Sequence, residues 1–180
     1  MSRRRSAVPS LFRPFVGDRR GATTIEFAIC AAAFFTLVVG SLQIVMVFFV
    51  QQIIQTASET VAREVLTGQL PNGTTREQFR TRACKQLPVF LKCSNLYADV
   101  QKVPDLSGIG SVGTGVTFDA AGRVTSDTQF DPGSAGDVVV LRLIYAWPIG
   151  TAPLGLNLSN QSDGSRTIVG TMVFKSEPYL

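Results

Sequence analysis

The chain reads as an α+β protein: a long N-terminal transmembrane helix that continues as an amphipathic helix, followed by a small antiparallel-sheet head. Three observations predict this. Between Glu26 and Glu59 lie thirty-two residues without a charged side chain, and residues 27–50 (FAICAAAFFTLVVGSLQIVMVFFV) are almost wholly apolar. The following stretch keeps apolar side chains at helical spacing. After Cys93, runs rich in β-branched residues alternate with segments rich in Gly, Ser, Thr and Asp, the pattern of strands and turns.

The apolar run comes first because it decides the class. At 1.5 Å per residue, roughly 20 apolar residues cross the ~30 Å hydrocarbon core as a helix. Lipid supplies no hydrogen-bond partners to the backbone, so a lone spanning segment is helical. A core helix of a soluble domain is the bland rival, but 24 residues exceeds its ordinary length. A cleaved secretory signal has an apolar region of about 7–15 residues, and Gln51-Gln52-Ile53-Ile54 makes a poor cleavage context.

Charge orients the span. Residues 1–26 carry Arg3, Arg4, Arg5, Arg13, Arg19 and Arg20 against Asp18 and Glu26, while residues 27–180 carry eleven basic and eleven acidic side chains. The whole net charge of +4 therefore precedes the span. Positive flanks stay cytoplasmic, which predicts an N-terminus inside and a head in the periplasm of a Gram-negative cell, with the span in the inner membrane. The high pI is thus a topology signal, and no nucleic-acid partner is expected from it.

From residue 51 to Leu66 the helix continues, with Ile54, Ala57, Val61 and Val65 on one face and Gln55, Ser58, Glu59 and Arg63 on the other. Gly68 and Pro71-Asn72-Gly73 end it. A helix over 23–66 is about 65 Å long. A second helix is predicted over 75–87, capped by Thr74 with Glu77 or Thr75 with Gln78, striped by Phe79, Ala83 and Leu87, and broken by Pro88. Strands are predicted over 97–103, 116–118, 137–146 and 167–175, the last two pairing antiparallel. This organises the chain as a basic cytoplasmic leader (1–21), a membrane and extended helix (22–66) and a periplasmic α+β head (67–180).

The junction carries the most specific motif. Arg19-Arg20-Gly21 is followed by Ala22-Thr23-Thr24-Ile25-Glu26-Phe27 and then the apolar run. A carboxylate at the lip of a membrane helix is costly to bury. A solvated Glu near a helix N-terminus, favoured by the macrodipole, accounts for it alone. The whole arrangement resembles a type IV prepilin processing site. Within that superfamily it is similar to TadE-type minor pseudopilins of the tight-adherence (Flp pilus) system. The resemblance runs from Arg19 to Ile29, through Gly40 and the exit at residues 57–64. It returns at residues 136–140, at Tyr145-Ala146-Trp147-Pro148 and at residues 174–179. Many relatives carry a proline about six residues after the Glu; here that position is Ala32, which implies a straighter helix.

The resemblance implies cleavage by the membrane prepilin peptidase between Gly21 and Ala22, with Glu26 and Phe27 becoming the fifth and sixth residues of the mature chain. Glycine presents a bare backbone to a protease. The new α-amino group and Glu26 then provide opposite charges that neutralise in a low-dielectric setting. The implied partners are the membrane, the prepilin peptidase and other Tad/Flp assembly proteins and pseudopilins. The implied function is support of assembly or secretion of an adhesive pilus. The alternative is an unprocessed single-pass anchor presenting a periplasmic module that binds glycans or envelope partners.

Cys84 and Cys93 fall on the predicted periplasmic side, an oxidising compartment, and are expected to form a disulfide over the end of the second helix. Cys30 in the apolar run reads as a small apolar residue. With no His in the chain, Ser-His-Asp and Cys-His machinery is impossible, and no enzyme activity, metal or cofactor is expected. Gly108-Ile109-Gly110-Ser111-Val112-Gly113 matches a dinucleotide fingerprint but lacks its βαβ context. The sequons at Asn72, Asn157 and Asn160 read as loop residues. Asp127, Asp131 and Asp137 read as turn formers. Tyr145, Trp147 and Tyr179 are expected as core or interface aromatics rather than a sugar platform.

Overall fold

A computed structural model describes residues 21–71, 73–105, 107, 119, 124–125, 128–149 and 157–177. The expected fingerprint at 108–113, strand at 116–118, Asn72, Asp127 and Tyr179, and the leader residues before Gly21, lie outside that set. The element order is α1 (Ala22–Leu66), α2 (Arg76–Lys85), a 3₁₀ turn (Cys93–Asn95), β1 (Leu96–Val103), β2 (Val138–Pro148) and β3 (Ser165–Lys175).

Helix α1 runs unbroken for 45 residues, about 67 Å. Ala32, at the position where a proline would have kinked it, passes without interruption. The helix ends as expected. Thr67 and Gln69 donate backbone N–H groups to the Arg63 and Glu64 carbonyls. Gly68 takes the positive φ of 66° that a C-terminal turn demands and that only glycine adopts without penalty.

Helix α2 starts with the second of the two candidate caps. The Thr75 hydroxyl accepts from the Gln78 backbone, and the Gln78 side chain accepts from the Thr75 backbone at 2.9 Å. The helix stops at Lys85, two residues short of the expected end, with Gln86 as its C-cap; Pro88 disfavours the α region at Leu87, so the helix cannot run on. Phe79 and Ala83 are fully buried; Leu87 packs on the core from beyond the helix.

The strands form one antiparallel sheet in the order β1-β2-β3. Each is slightly longer or differently framed than predicted. Strand β2 begins at Val138 and runs to Pro148, because Asp137 is spent on a turn in which its carboxylate accepts the Ser134 N–H at 2.7 Å. An unpredicted segment runs beside β1: Val100 donates to the Gln129 carbonyl and Asp131 donates to the Val100 carbonyl.

The lower half of α1 lies on one face of this sheet. Val50, Ile54, Ala57, Val61 and Val65 meet Val139, Leu141, Leu143, Tyr145, Ile168 and Phe174, with Phe79 of α2 completing the core. One expectation fails here. Ser58, which helical periodicity puts on the solvent face, is fully buried. It sits over Gly170, where a Cβ would come 2.8 Å from the Ile54 carbonyl oxygen and closer still to the Ser58 hydroxyl. The missing side chain at 170 lets the helix approach the strand, and the buried hydroxyl is satisfied by donating to Ile54 O at 2.8 Å. Gln51 adds a stitch by donating to the Val169 carbonyl at 2.9 Å.

Candidate functional site

Helix α1 starts at Gly21, whose φ of −89° and ψ of −4° any residue adopts. A Cβ there meets no atom within 4 Å. Nothing in the described fold therefore requires glycine at 21. Ala22 is the first helical residue, and the first turn carries no acidic side chain. Glu26 is the fifth helical residue, about 6 Å along the axis from Ala22 at 1.5 Å per residue. It is exposed, and among the described residues it has no hydrogen-bond or ion-pair partner. Phe27 beside it is 74% exposed.

From there the helix is uncovered. Large apolar side chains from Ile25 to Phe49 point outward around its circumference, and the first buried residue of α1 is Val50. A core helix of a soluble domain would be covered by its own chain; this one is not. Leaving more than a dozen such side chains in water forfeits on the order of 20–40 kcal/mol at about 1.5–3 kcal/mol each. That exceeds the roughly 5–15 kcal/mol net stability of a whole domain. The segment is long and apolar enough to cross a membrane. Its hydroxyls are satisfied internally, as lipid requires: Thr36 donates to the Ala32 carbonyl at 2.7 Å and Ser41 to Leu37 at 2.9 Å. Within the run, the side-chain oxygen of Gln43 is buried and has no hydrogen-bond partner among the described residues.

At the far end of the apolar run the head supplies a loop. Cys84, in the last turn of α2, is joined to Cys93 by a disulfide, with Cα atoms 5.7 Å apart. The loop between them brings Phe90 onto Phe49, ring centroids 6.3 Å apart and planes 18° from parallel. Phe49, Ile53, Ala57, Leu87, Pro88 and Phe90 line an apolar cleft of about 500 Å³ between α1 and this loop. Cys30 is a free, exposed thiol on the membrane segment.

The rest of the head looks built for stability. Asp99 and Arg142, both buried, face each other across β1 and β2 at 4.0 Å. Asp99 is held more closely by the Gln129 N–H at 2.7 Å and the Gln101 amide at 3.0–3.1 Å. Sequence reasoning missed this pair because the register that joins it is a long-range fact. Lys102 and Asp137 form an ion pair at 2.8 Å. That hydrogen bond raises the Lys102 ammonium above its ordinary value and, with the Ser134 N–H, lowers the Asp137 carboxyl. Asp163 is likewise lowered, chiefly by the Ser165 hydroxyl. Tyr145 is a core residue, its phenol pushed up by burial, and Trp147 packs beside it, so they form no open aromatic platform. Among the described residues no group of three His, Cys, Asp or Glu side chains gathers as a metal site.

A long helix with an uncovered apolar half and an α+β head fits a membrane-anchored protein. Residues 21–63 match the family model described as TadE-like protein. No curated protein and no solved structure matched.

Proposed function

We propose that this protein is a minor pseudopilin-like membrane component of a Tad (Flp-type) pilus system, matured by a prepilin peptidase that cuts between Gly21 and Ala22. The TadE-like match supports association with the membrane and with Tad pilus components. The observation that carries the finer reading is the junction: an exposed carboxylate that has no partner among the described residues, one turn inside a helix whose apolar side chains are exposed. Both are sites waiting for neighbours. After cleavage, the α-amino group of Ala22 and the carboxylate of Glu26 on adjacent subunits form a charge pair, and apolar helix faces pack together. Gly21 is dispensable to the described fold, so a protease's need for a bare backbone is a sufficient reason for it. The six leader arginines support a span in the inner membrane with a cytosolic N-terminus and a periplasmic head. The disulfide suits that compartment.

Co-expression with a prepilin peptidase, followed by N-terminal sequencing, tests this. The expected first residue is Ala22, and Gly21→Leu abolishes the mobility shift without changing the unfolding midpoint. A mature chain starting at Met1 or beyond residue 40 overturns the processing step. A reporter fused after Leu180 and found in the cytosol overturns the topology. An intact N-terminus with normal pili in a deletion strain favours the unprocessed binding module.

A further inference from the structure

The loop closed by the disulfide reads Cys-Lys-Gln-Leu-Pro-Val-Phe-Leu-Lys-Cys over residues 84–93, an apolar run with a lysine inside each cysteine. Its base is anchored: Leu91 is buried and Leu87 packs on the core. Its tip is not. Val89 is fully exposed and Phe90 is 52% exposed, while Lys85 and Lys92 are exposed on either side. Single exposed apolar residues need no explanation. This pair adjoins the uncovered apolar surface of α1, because Phe90 stacks on Phe49. From Phe27 to Phe49 the helix rises about 33 Å, close to the ~30 Å of the hydrocarbon core. With Phe27 at one interface, Phe49 and the loop tip stand at the other.

We propose that this loop is a second membrane contact. Val89 and Phe90 enter the lipid interface beside α1, and Lys85 and Lys92 meet anionic headgroups at its edge. A single helix leaves the head free to swivel about the helix axis; an off-axis foot fixes which face of the head points away from the bilayer. The disulfide holds the foot in place. The proposal rests on the membrane reading of α1 and is independent of processing and of the pilus assignment.

The test uses the full chain in phosphatidylethanolamine–phosphatidylglycerol vesicles with brominated acyl chains, which quench indoles at lipid depth. Three variants are compared, each with the parent Trp147 emission subtracted: Val89→Trp at the tip, Leu37→Trp within the span, and Ser134→Trp in an exposed turn of the head. Val89→Trp is expected to lose most of its emission to bromine and to be blue-shifted, as Leu37→Trp is, while Ser134→Trp shows neither effect. Adding Lys85→Glu and Lys92→Glu is expected to reduce that quenching to the level seen without phosphatidylglycerol. If Leu37→Trp is quenched and Val89→Trp behaves like Ser134→Trp, the loop lies in water and this inference alone is overturned. If Leu37→Trp is itself unquenched, the membrane reading of α1 is overturned with it. A blue-shifted but unquenched Val89→Trp that varies with protein-to-lipid ratio means a second protein surface covers the loop, which also overturns the proposal.

Discussion

Gly170 and Asp99 show how much of the head depends on single side chains. A methyl group at 170 would lie 2.8 Å from the Ile54 carbonyl oxygen, and that oxygen belongs to a helix backbone that cannot rotate away. Gly170→Ala is therefore expected to cost about 1–3 kcal/mol, the range for overpacking a close-packed contact. Urea unfolding in detergent measures it. Adding Ser58→Ala removes the hydroxyl but leaves the carbonyl, so the double variant should recover only part of the loss. At Asp99 the distances rank the partners. The N–H of Gln129 at 2.7 Å and the Gln101 amide at 3.0–3.1 Å hold the carboxylate more closely than Arg142 at 4.0 Å. Asp99→Ala leaves the Gln129 N–H and the Gln101 amide without their acceptor, which costs about 1–3 kcal/mol for each buried donor. Gln101→Ala leaves the Gln129 bond intact and should cost about 1 kcal/mol, the usual worth of one hydrogen bond. Equal losses in the two variants would contradict this ranking.

The disulfide joins the end of α2 to the start of the 3₁₀ turn and so frames the 85–92 loop. Closing a loop of about ten residues limits the unfolded chain by about 2–3 kcal/mol in the chain-entropy model. Cys84→Ser with Cys93→Ser should lower the unfolding free energy by that amount while leaving α1 helical by circular dichroism. Elements with strong local signals were legible in the sequence. The 3.6-residue spacing of Ile54, Ala57, Val61 and Val65 marked the packed face of α1, and all four are buried. The Thr75–Gln78 box marked the start of α2 to within a residue. Strands β2 and β3 announced themselves by β-branched runs, and their antiparallel pairing fits the 20-residue connection read between them. What failed depended on a distant partner. Ser58 looks like a solvent residue until Gly170 is placed opposite it, and Asp99 shows no link to Arg142 until β1 and β2 are in register. The junction at 21–27 was legible as a motif because its residues are adjacent in the chain. The foot at 89–90 was not, since its meaning comes from Phe49, forty residues away.

Taken as one molecule, the protein divides its ionisable groups in a way that bears on pH. The chain has no His, so no side chain with an ordinary pKa changes charge between about pH 5 and 8. The shifted groups of the head lie outside that window. Asp137 and Asp163 are held below the usual 3.8, so the stability they contribute is present above that pH and is lost as pH falls through their lowered values. Lys102 is raised above 10.5 and Tyr145 above 10.0, so their contributions are present below those values and are lost only as pH rises beyond them. Thermal unfolding of the unprocessed chain should therefore be flat across neutral pH and decline on the acid side below 3.8. Asp137→Asn should weaken that acid decline. Cleavage after Gly21 changes this, because it moves the α-amino group, whose ordinary pKa is about 7.7–8.0, from the leader to within about one helical turn of Glu26. If that group pairs with Glu26 of a neighbouring subunit, subunit association acquires a pH dependence that the precursor lacks. Its pKa is raised by the pairing, so association is strongest below about pH 8 and weakens as pH rises past it. Crosslinking of mature and unprocessed chains across pH 6 to 10 in the same vesicles reads this directly. A loss of association at high pH that appears equally in both chains would place the proton elsewhere and remove the Ala22–Glu26 pair from the assembly reaction.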